Sequence, residues 1–508
     1  MSWLSAIVFF PIVGLILIAL LPKSQQGLIR AAALLATFVP WLLSLLAWVG
    51  FDTAYKGMQF VEQRQWIDVG FIQFNYELGV DGFSLPLVLL ATTIMFVAAF
   101  ASFSIKERVK EYFLWFLLLQ IGLTGVFVAL DLFLFFLFFE LTLIPMFFLI
   151  GIWGGKERKY ASFKFLIYTG LGSIIMILAF FALMMMGVEA TQGTEVTFNM
   201  IRLAEILGNP MYQSAANFDM RAWVFLALFL AFAIKLPIFP FHTWLPDAHV
   251  QAPTPASMIL AGVLLKMGAY GLLRIGFGIL PDAAAHFATL IAILGVINIL
   301  YGALLALVQK DLKKLIAYSS ISHMGIVLLG MASFTQQGMQ GAVFQMVSHG
   351  FIAALLFFSV GAIYERTHTR MLADLGGLSK PMPVLAGFML AAMLASAGLP
   401  GFSGFVSELM AFLGMFSASV DIIPHATAIA AVGAIGIIFT AAYLLWAIQR
   451  TTFGPVRDAY QNLADLRAIE YVPMVTLLGF SLLIGVYPSL LNSMINTTIA
   501  DFLLRIGG

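Results

Sequence analysis

Cysteine is missing altogether from these 508 residues, and charge is scarce: Asp, Glu, Lys and Arg make up 10% of the chain, against about 25% in an ordinary soluble domain. The first absence excludes disulfides, thiolate-bound zinc, Cys-ligated iron–sulfur clusters and a cysteine nucleophile. The second, with 62% hydrophobic residues and a mean hydropathy of +1.00, excludes a string of soluble domains. Net charge is nearly absent too, at +1 from 26 Lys+Arg and 25 Asp+Glu, so no strong field is on offer to a nucleic acid or an acidic partner. There is no His-Glu-x-x-His zinc motif and no Rossmann glycine fingerprint. Gly154-Gly-Lys156-Glu157 lacks both the spacing and the Ser/Thr of a phosphate loop.

What is present is apolar sequence in runs of membrane length. A bilayer core takes about 20 mostly apolar residues per helix. Fourteen stretches qualify: 3–21, 27–50, 81–103, 112–130, 131–151, 161–187, 221–241, 255–279, 286–308, 314–333, 339–364, 383–413, 422–448 and 471–495. No Lys or Arg precedes the first, and no small-residue cleavage site follows it, so it reads as a span and not a secretory leader. The fourth and fifth nearly merge at Asp131. With the N-terminus outside, the cytoplasmic loops collect eighteen Lys and Arg, the outer loops six, and two lie within spans. That asymmetry follows the positive-inside rule and puts both termini on the outer side. The longest outer loops, 51–80 and 188–220, are too short for independent domains, and 449–470 reads as a polar, partly helical cytoplasmic connector.

Ionisable groups are expensive in hydrocarbon, at roughly 2.5–3.5 kcal/mol each on insertion scales, and mark function by default. Glu140 follows Phe133-Leu-Phe-Phe-Leu-Phe-Phe139. Lys235 ends an apolar run and precedes Leu-Pro237-Ile-Phe-Pro240, and Lys266 interrupts the eighth span. His323, His349 and Glu408 occupy the tenth, eleventh and twelfth. The competing account is a static ion pair between helices, which leaves Lys266 and the histidines unexplained. For either His alone, a structural hydrogen bond explains it as well. As a series, the six read as a proton path. A buried ammonium is stabilised by a nearby carboxylate, so changing the influence of Glu140 switches Lys235 between holding and releasing a proton. Imidazole relays protons near neutral pH.

Proline removes a helix donor and clashes with the preceding turn, so the seventh span should break at 236–240 and the twelfth at Gly398-Leu-Pro400-Gly401. Broken helices at membrane depth line hydrated cavities and recur in inverted-repeat transporters. Each break falls in the fourth span of a five-span block, spans 4–8 and 9–13, and an odd number of spans inverts one block against the other. The expected architecture is an all-α integral membrane protein of about fourteen transmembrane helices with two inverted five-helix repeats. Its parts are 1–110 (first three helices), 111–280 (first repeat), 281–450 (second repeat) and 451–508 (connector and last helix).

His242-Thr-Trp-Leu-Pro-Asp-Ala-His249, Gln251-Ala-Pro-Thr-Pro-Ala-Ser257, Leu264-Leu-Lys266-Met-Gly-Ala-Tyr-Gly-Leu-Leu-Arg274 and Leu315-Ile-Ala-Tyr-Ser-Ser-Ile-Ser-His-Met-Gly325 together resemble the signature of the antiporter-like subunits of respiratory complex I. The resemblance runs over essentially the whole chain. In most such relatives the charged residue on the broken twelfth helix is Lys; here it is Glu408, the pattern of the M type. The resemblance implies that Glu140 tunes Lys235, that Lys266, His323 and His349 form a central hydrophilic axis, and that Glu408 passes the proton to the periplasmic side. It implies no redox cofactor in this chain, with FMN, iron–sulfur clusters and quinone held by other subunits. It further implies membrane-arm partners, especially the L and N types, in a bacterial inner membrane. A D-type subunit of a sodium/proton antiporter, the matching subunit of a photosynthetic complex or membrane-bound hydrogenase, and a passive scaffold remain open here.

Overall fold

The computed structural model describes residues 2–70, 73–209 and 218–505, and these are mostly helical. Among the described residues, twelve helical segments are long and apolar enough to cross a membrane. The seventh expected span, 221–241, stops being helical after Lys235, at the end of Phe218–Lys235, and a further helix, Trp244–Gln251, follows beyond its expected end, while the twelfth is split into Pro383–Ser396 and Ser403–Phe416. Burial separates centre from periphery. In Thr254–Phe277 and Gln336–Thr367 the apolar window is 100% buried, whereas in Trp3–Leu20 and Ala426–Thr451 it is 33% buried. The two central helices carry Lys266 and His349. Peripheral helices keep Ile167, Leu171, Leu178 and Ile438 exposed, the side chains that hydrocarbon solvates.

Local chemistry explains most interruptions. Pro11 divides the first span into Trp3–Phe9 and Pro11–Leu20, and the fifth bends at Thr142, between Leu132–Leu141 and Leu143–Trp153. Asp131 caps the former helix by accepting from the Phe133 and Leu134 N–H groups at 2.9 and 3.0 Å, which separates the fourth span cleanly from the fifth.

Two expectations need correction. The 51–80 segment is not simply a loop: Gln59–Asp68 and Gln73–Val80 pair as an antiparallel hairpin, with Glu62 opposite Leu78 and Asp68 opposite Gln73. Its Glu62 carboxylate accepts from the Leu4 and Ser5 N–H groups at 2.7 and 3.2 Å and from the Ser5 hydroxyl. A strand side chain thus satisfies donors that the first helix leaves orphaned. The last expected span, 471–495, is also not one helix. Ala468–Val486 stops before Pro488, and Ser489–Arg505 is a separate helix that packs on the loop at Gly82, whose N–H donates to Thr498 Oγ1 at 3.0 Å. In the 188–220 loop, Met200–Leu207 is a short helix, and the Arg202 guanidinium beside Glu195 holds that carboxyl below its ordinary range.

Candidate proton-transfer site

The seventh span breaks where its prolines require. The helix ends at Lys235 and chain direction resumes at Trp244. Two of the backbone groups freed between them are met by one residue of the ninth span: Asn298 Oδ1 accepts from Phe239 N–H at 2.8 Å, and Asn298 Nδ2 donates to the Pro237 carbonyl at 3.2 Å. The Trp244 indole N–H donates back to the Ile234 carbonyl at 2.8 Å. Lys235 is thereby fixed at the break, 2% exposed. Its ammonium stands 4.8 Å from the centre of the Phe139 ring and 5.6 Å from that of Phe165. Cation–π contact supports the charge without fixing the proton in a hydrogen bond. Glu140, next to Phe139, is within electrostatic reach of Lys235, but among the described residues the two form no ion pair. Glu140 Oε1 is buried with no protein partner.

The eighth span carries Lys266 between two π-helical segments, Leu260–Leu264 and Leu272–Phe277, a widened geometry frequent at functional sites. Two residues on, Gly268 allows close approach to the break. A Cβ there would lie 2.8 Å from Leu236 N and 3.0 Å from the Phe232 carbonyl oxygen. Lys266 is fully buried; its Nζ donates to the Ala261 carbonyl and lies 2.8 Å from His349 Nδ1.

From His349 the chain of polar side chains continues. The His349 and His323 rings lie 5.3 Å apart. His323 Nδ1 faces the Ser319 carbonyl at 2.7 Å and Nε2 faces the Ser396 carbonyl at 3.0 Å. Ser396 is the last residue of the first half of the broken twelfth span, so its carbonyl is an orphan of the helix end. A neutral imidazole has one N–H and serves one of these acceptors; the imidazolium serves both. Glu408 completes the series, with Oε1 at 3.6 Å from His323 Nε2. The break itself depends on Gly398 and Gly401, at φ +75° and +98°, values that L side chains avoid.

Of the six sequence candidates, Lys266, His349, His323 and Glu408 thus form one series of neighbouring groups, and Glu140 with Lys235 forms a second cluster across Gly268. One further residue belongs with them. His249, on Trp244–Gln251, is fully buried and stacks on Phe357 at 4.6 Å, with neither ring nitrogen partnered by protein. It lies within electrostatic reach of Lys313, Lys266 and His349. His249 ends the motif that follows the break, but it lies outside the apolar run 221–241, where a histidine carries no signal of burial.

Comparison with known proteins gives a consistent result. Residues 129–435 match the family model described as NADH:quinone oxidoreductase/Mrp antiporter, transmembrane. The chain is similar to NADH-quinone oxidoreductase subunit M of Rhodobacter capsulatus, 45% identical over 98% of this chain and 95% of that one. It is similar also to an NAD(P)H-quinone oxidoreductase chain 4 of Microcystis aeruginosa, 41% identical over 98% and 92%. Among solved structures, a chain of respiratory complex I from Thermus thermophilus with bound NADH superposes with a TM-score of 0.86 at 29% identity, over 100% of both chains. A chain of the Mrp complex from a Dietzia species shares the fold alone, with a TM-score of 0.81 at 22% identity over 100% of both chains.

Proposed function

The chain belongs to the NADH:quinone oxidoreductase/Mrp antiporter transmembrane family, and from that premise we propose that its row of buried ionisable groups carries protons. It is a proton-translocating membrane-arm subunit of an NADH:quinone oxidoreductase, of the M type. Its contribution to that enzyme is transport: redox chemistry on FMN, iron–sulfur clusters and quinone takes place in other subunits, and the neighbours of this chain are the L- and N-type antiporter-like subunits. Glu408, where the antiporter resemblance leads to Lys, favours this reading over a D-type antiporter subunit. The charge asymmetry favours an inner-membrane topology with both termini and the hairpin on the periplasmic side, and two inverted repeats, spans 4–8 and 9–13, account for the paired breaks.

The observation that carries the reading is the series Lys266–His349–His323–Glu408, at 2.8, 5.3 and 3.6 Å in turn. At 2.8 Å, Lys266 and His349 share one proton between two nitrogens, because two cations in direct contact repel. A proton that moves on to His323 makes the ring a double donor, to the Ser319 and Ser396 carbonyls, beside the Glu408 carboxylate. Each step moves the charge to the next neighbouring group, and at His323 it gains the Glu408 carboxylate as its counter-charge. At the other end, Glu140 stabilises the ammonium of Lys235, and a change in their separation loads or unloads it.

The test is Lys235→Ala and Glu140→Ala in the assembled complex, reconstituted in vesicles. Proton pumping should be lost while the complex assembles and NADH oxidation by an artificial acceptor persists. Wild-type pumping in both variants would refute the relay.

A further inference from the structure

The eighth span bears a second set of buried polar groups, on the hairpin side of Lys266. Tyr270 lies one helical turn beyond Lys266 on Leu265–Gly271, and residues four apart share a helix face. Its hydroxyl donates to the Phe127 carbonyl at 3.4 Å and accepts from Arg274 Nε at 3.2 Å. Arg274 Nη2 pairs with Asp81 Oδ1 at 2.5 Å. That oxygen also accepts from Phe83 N–H at 3.0 Å and from Ser84 N–H at 3.1 Å. Asp81 is 3% exposed and Arg274 9%, and the guanidinium is flanked by the Phe83 and Tyr270 rings at 5.2 and 5.4 Å. Immediately outside lies a cavity of about 70 Å³ whose mixed lining includes Lys56, Asp81, Arg274, Asp501 and Arg505 beside Phe83 and Phe502. The Ser489–Arg505 helix covers it: a Cβ at Gly82 would lie 2.2 Å from the Met494 carbonyl oxygen, and Phe502 meets Phe83 edge-on at 5.5 Å.

A polar thread therefore runs from a surface cavity to within one turn of the central lysine, yet each member is unfit to pass a proton. A guanidinium is not deprotonated in proteins. A proton placed on Asp81 would leave the buried Arg274 charge without its counter-charge, which is strongly unfavourable. The Tyr270 hydroxyl already donates its proton to a carbonyl, and a second proton on its oxygen would set another cation directly against Arg274. We infer that the Asp81–Arg274–Tyr270 cluster is a proton-tight seal, closing the hairpin-side end of the Lys266 helix against back-flow along a route separate from Glu408. Fixed arginines exclude protons from other membrane pores by the same means. None of the three groups touches the transported proton; they are positioning residues.

The inference rests on the proton-translocating reading, and two readouts in one preparation separate the two: NADH-driven pumping tests the relay, and passive collapse of an imposed pH gradient with the enzyme idle tests the seal. Arg274→Gln leaves Asp81 unpaired and able to take a proton, so passive proton flux should rise several-fold and the quinone-reduction rate should lose its stimulation by uncoupler. Asp81→Asn cannot carry a proton and should stay tight. The double variant Asp81→Asn/Arg274→Gln should be tight again, and a merely structural pair is separated from the seal by Asp81→Asn, which breaks the pair as fully as Arg274→Gln does and would then leak as much. Arg274→Lys keeps a cation against Asp81 and should be tight. A tight Arg274→Gln, a double variant as leaky as Arg274→Gln, or lost pumping without leak would each overturn the seal. Should Arg274→Gln fail to assemble, leak in Asp81→Asn or in Arg274→Lys overturns it equally.

Discussion

Glu408 Oε2 stands 2.9 Å from where a side chain on Gly398 would begin, at a backbone angle of φ +75°. Gly398→Ala therefore meets two penalties, about 1–2 kcal/mol for an L residue in the left-handed region and displacement of the carboxylate from His323. Pumping should fall more than assembly does, and a melting curve of the purified complex beside a pumping assay checks it. Gly401→Ala, with a φ of +98° and nothing within 4 Å of its Cβ position, should carry the backbone penalty alone and keep more pumping. At this scale the sequence was informative about charge and silent about neutral partners. Six ionisable residues stood out because each interrupts apolar sequence. The Phe139 ring under Lys235 and the Ser396 carbonyl before His323 carry no such signal, since any helix offers rings and carbonyls. His249, unpartnered at both ring nitrogens, is a buried polar group that water ordinarily satisfies. A high-resolution map of the complex should show ordered water on its ring and on Glu140 Oε1, and a map with neither would remove His249 from the row.

At the scale of elements, the breaks were readable and their repair was not. Two prolines in five residues announce an interrupted seventh span, but nothing in Asn298, an asparagine in the apolar run 286–308, identifies it as the group that meets Phe239 N–H and the Pro237 carbonyl. Asn298→Leu leaves both buried groups unpaired, at about 1–3 kcal/mol each. The variant should melt earlier and lose pumping with Lys235 chemically intact. Asn298→Asp keeps an acceptor for Phe239 but sets an oxygen against the Pro237 carbonyl at a fully buried position, so it too should melt earlier than the parent protein; equal stability in all three proteins would show that the break holds itself. The hairpin is illegible in the sequence for another reason: its strands are far shorter than a 20-residue apolar run, and most of Gln59–Asp68 is exposed, so its alternation carries little hydrophobic contrast. The end of the Ala468–Val486 helix is also hidden, because Pro488 lies within apolar sequence and hydropathy does not register the turn it forces.

For the whole molecule, near-zero net charge conceals a sidedness of eighteen basic residues against six, and that sidedness predicts a topology open to direct measurement. The hairpin, the 188–220 segment and the Asp81–Arg274 seal share the face assigned to the periplasm, while Lys156, Arg158 and the 449–470 connector share the other. The absence of cysteine makes the experiment clean, because any thiol introduced into this chain is its only one. Gln65→Cys on the hairpin and Lys156→Cys are both exposed and outside the proposed proton row, so assembly and pumping should persist in each. With an epitope tag to isolate this chain from its neighbours, a membrane-impermeant maleimide added to right-side-out vesicles should label Gln65→Cys and spare Lys156→Cys. Inside-out vesicles should reverse the pattern. The opposite labelling would invert the topology and the sense in which Glu408 releases protons. Labelling of both sites from one side would place them on the same face and remove the positive-inside argument on which the orientation rests.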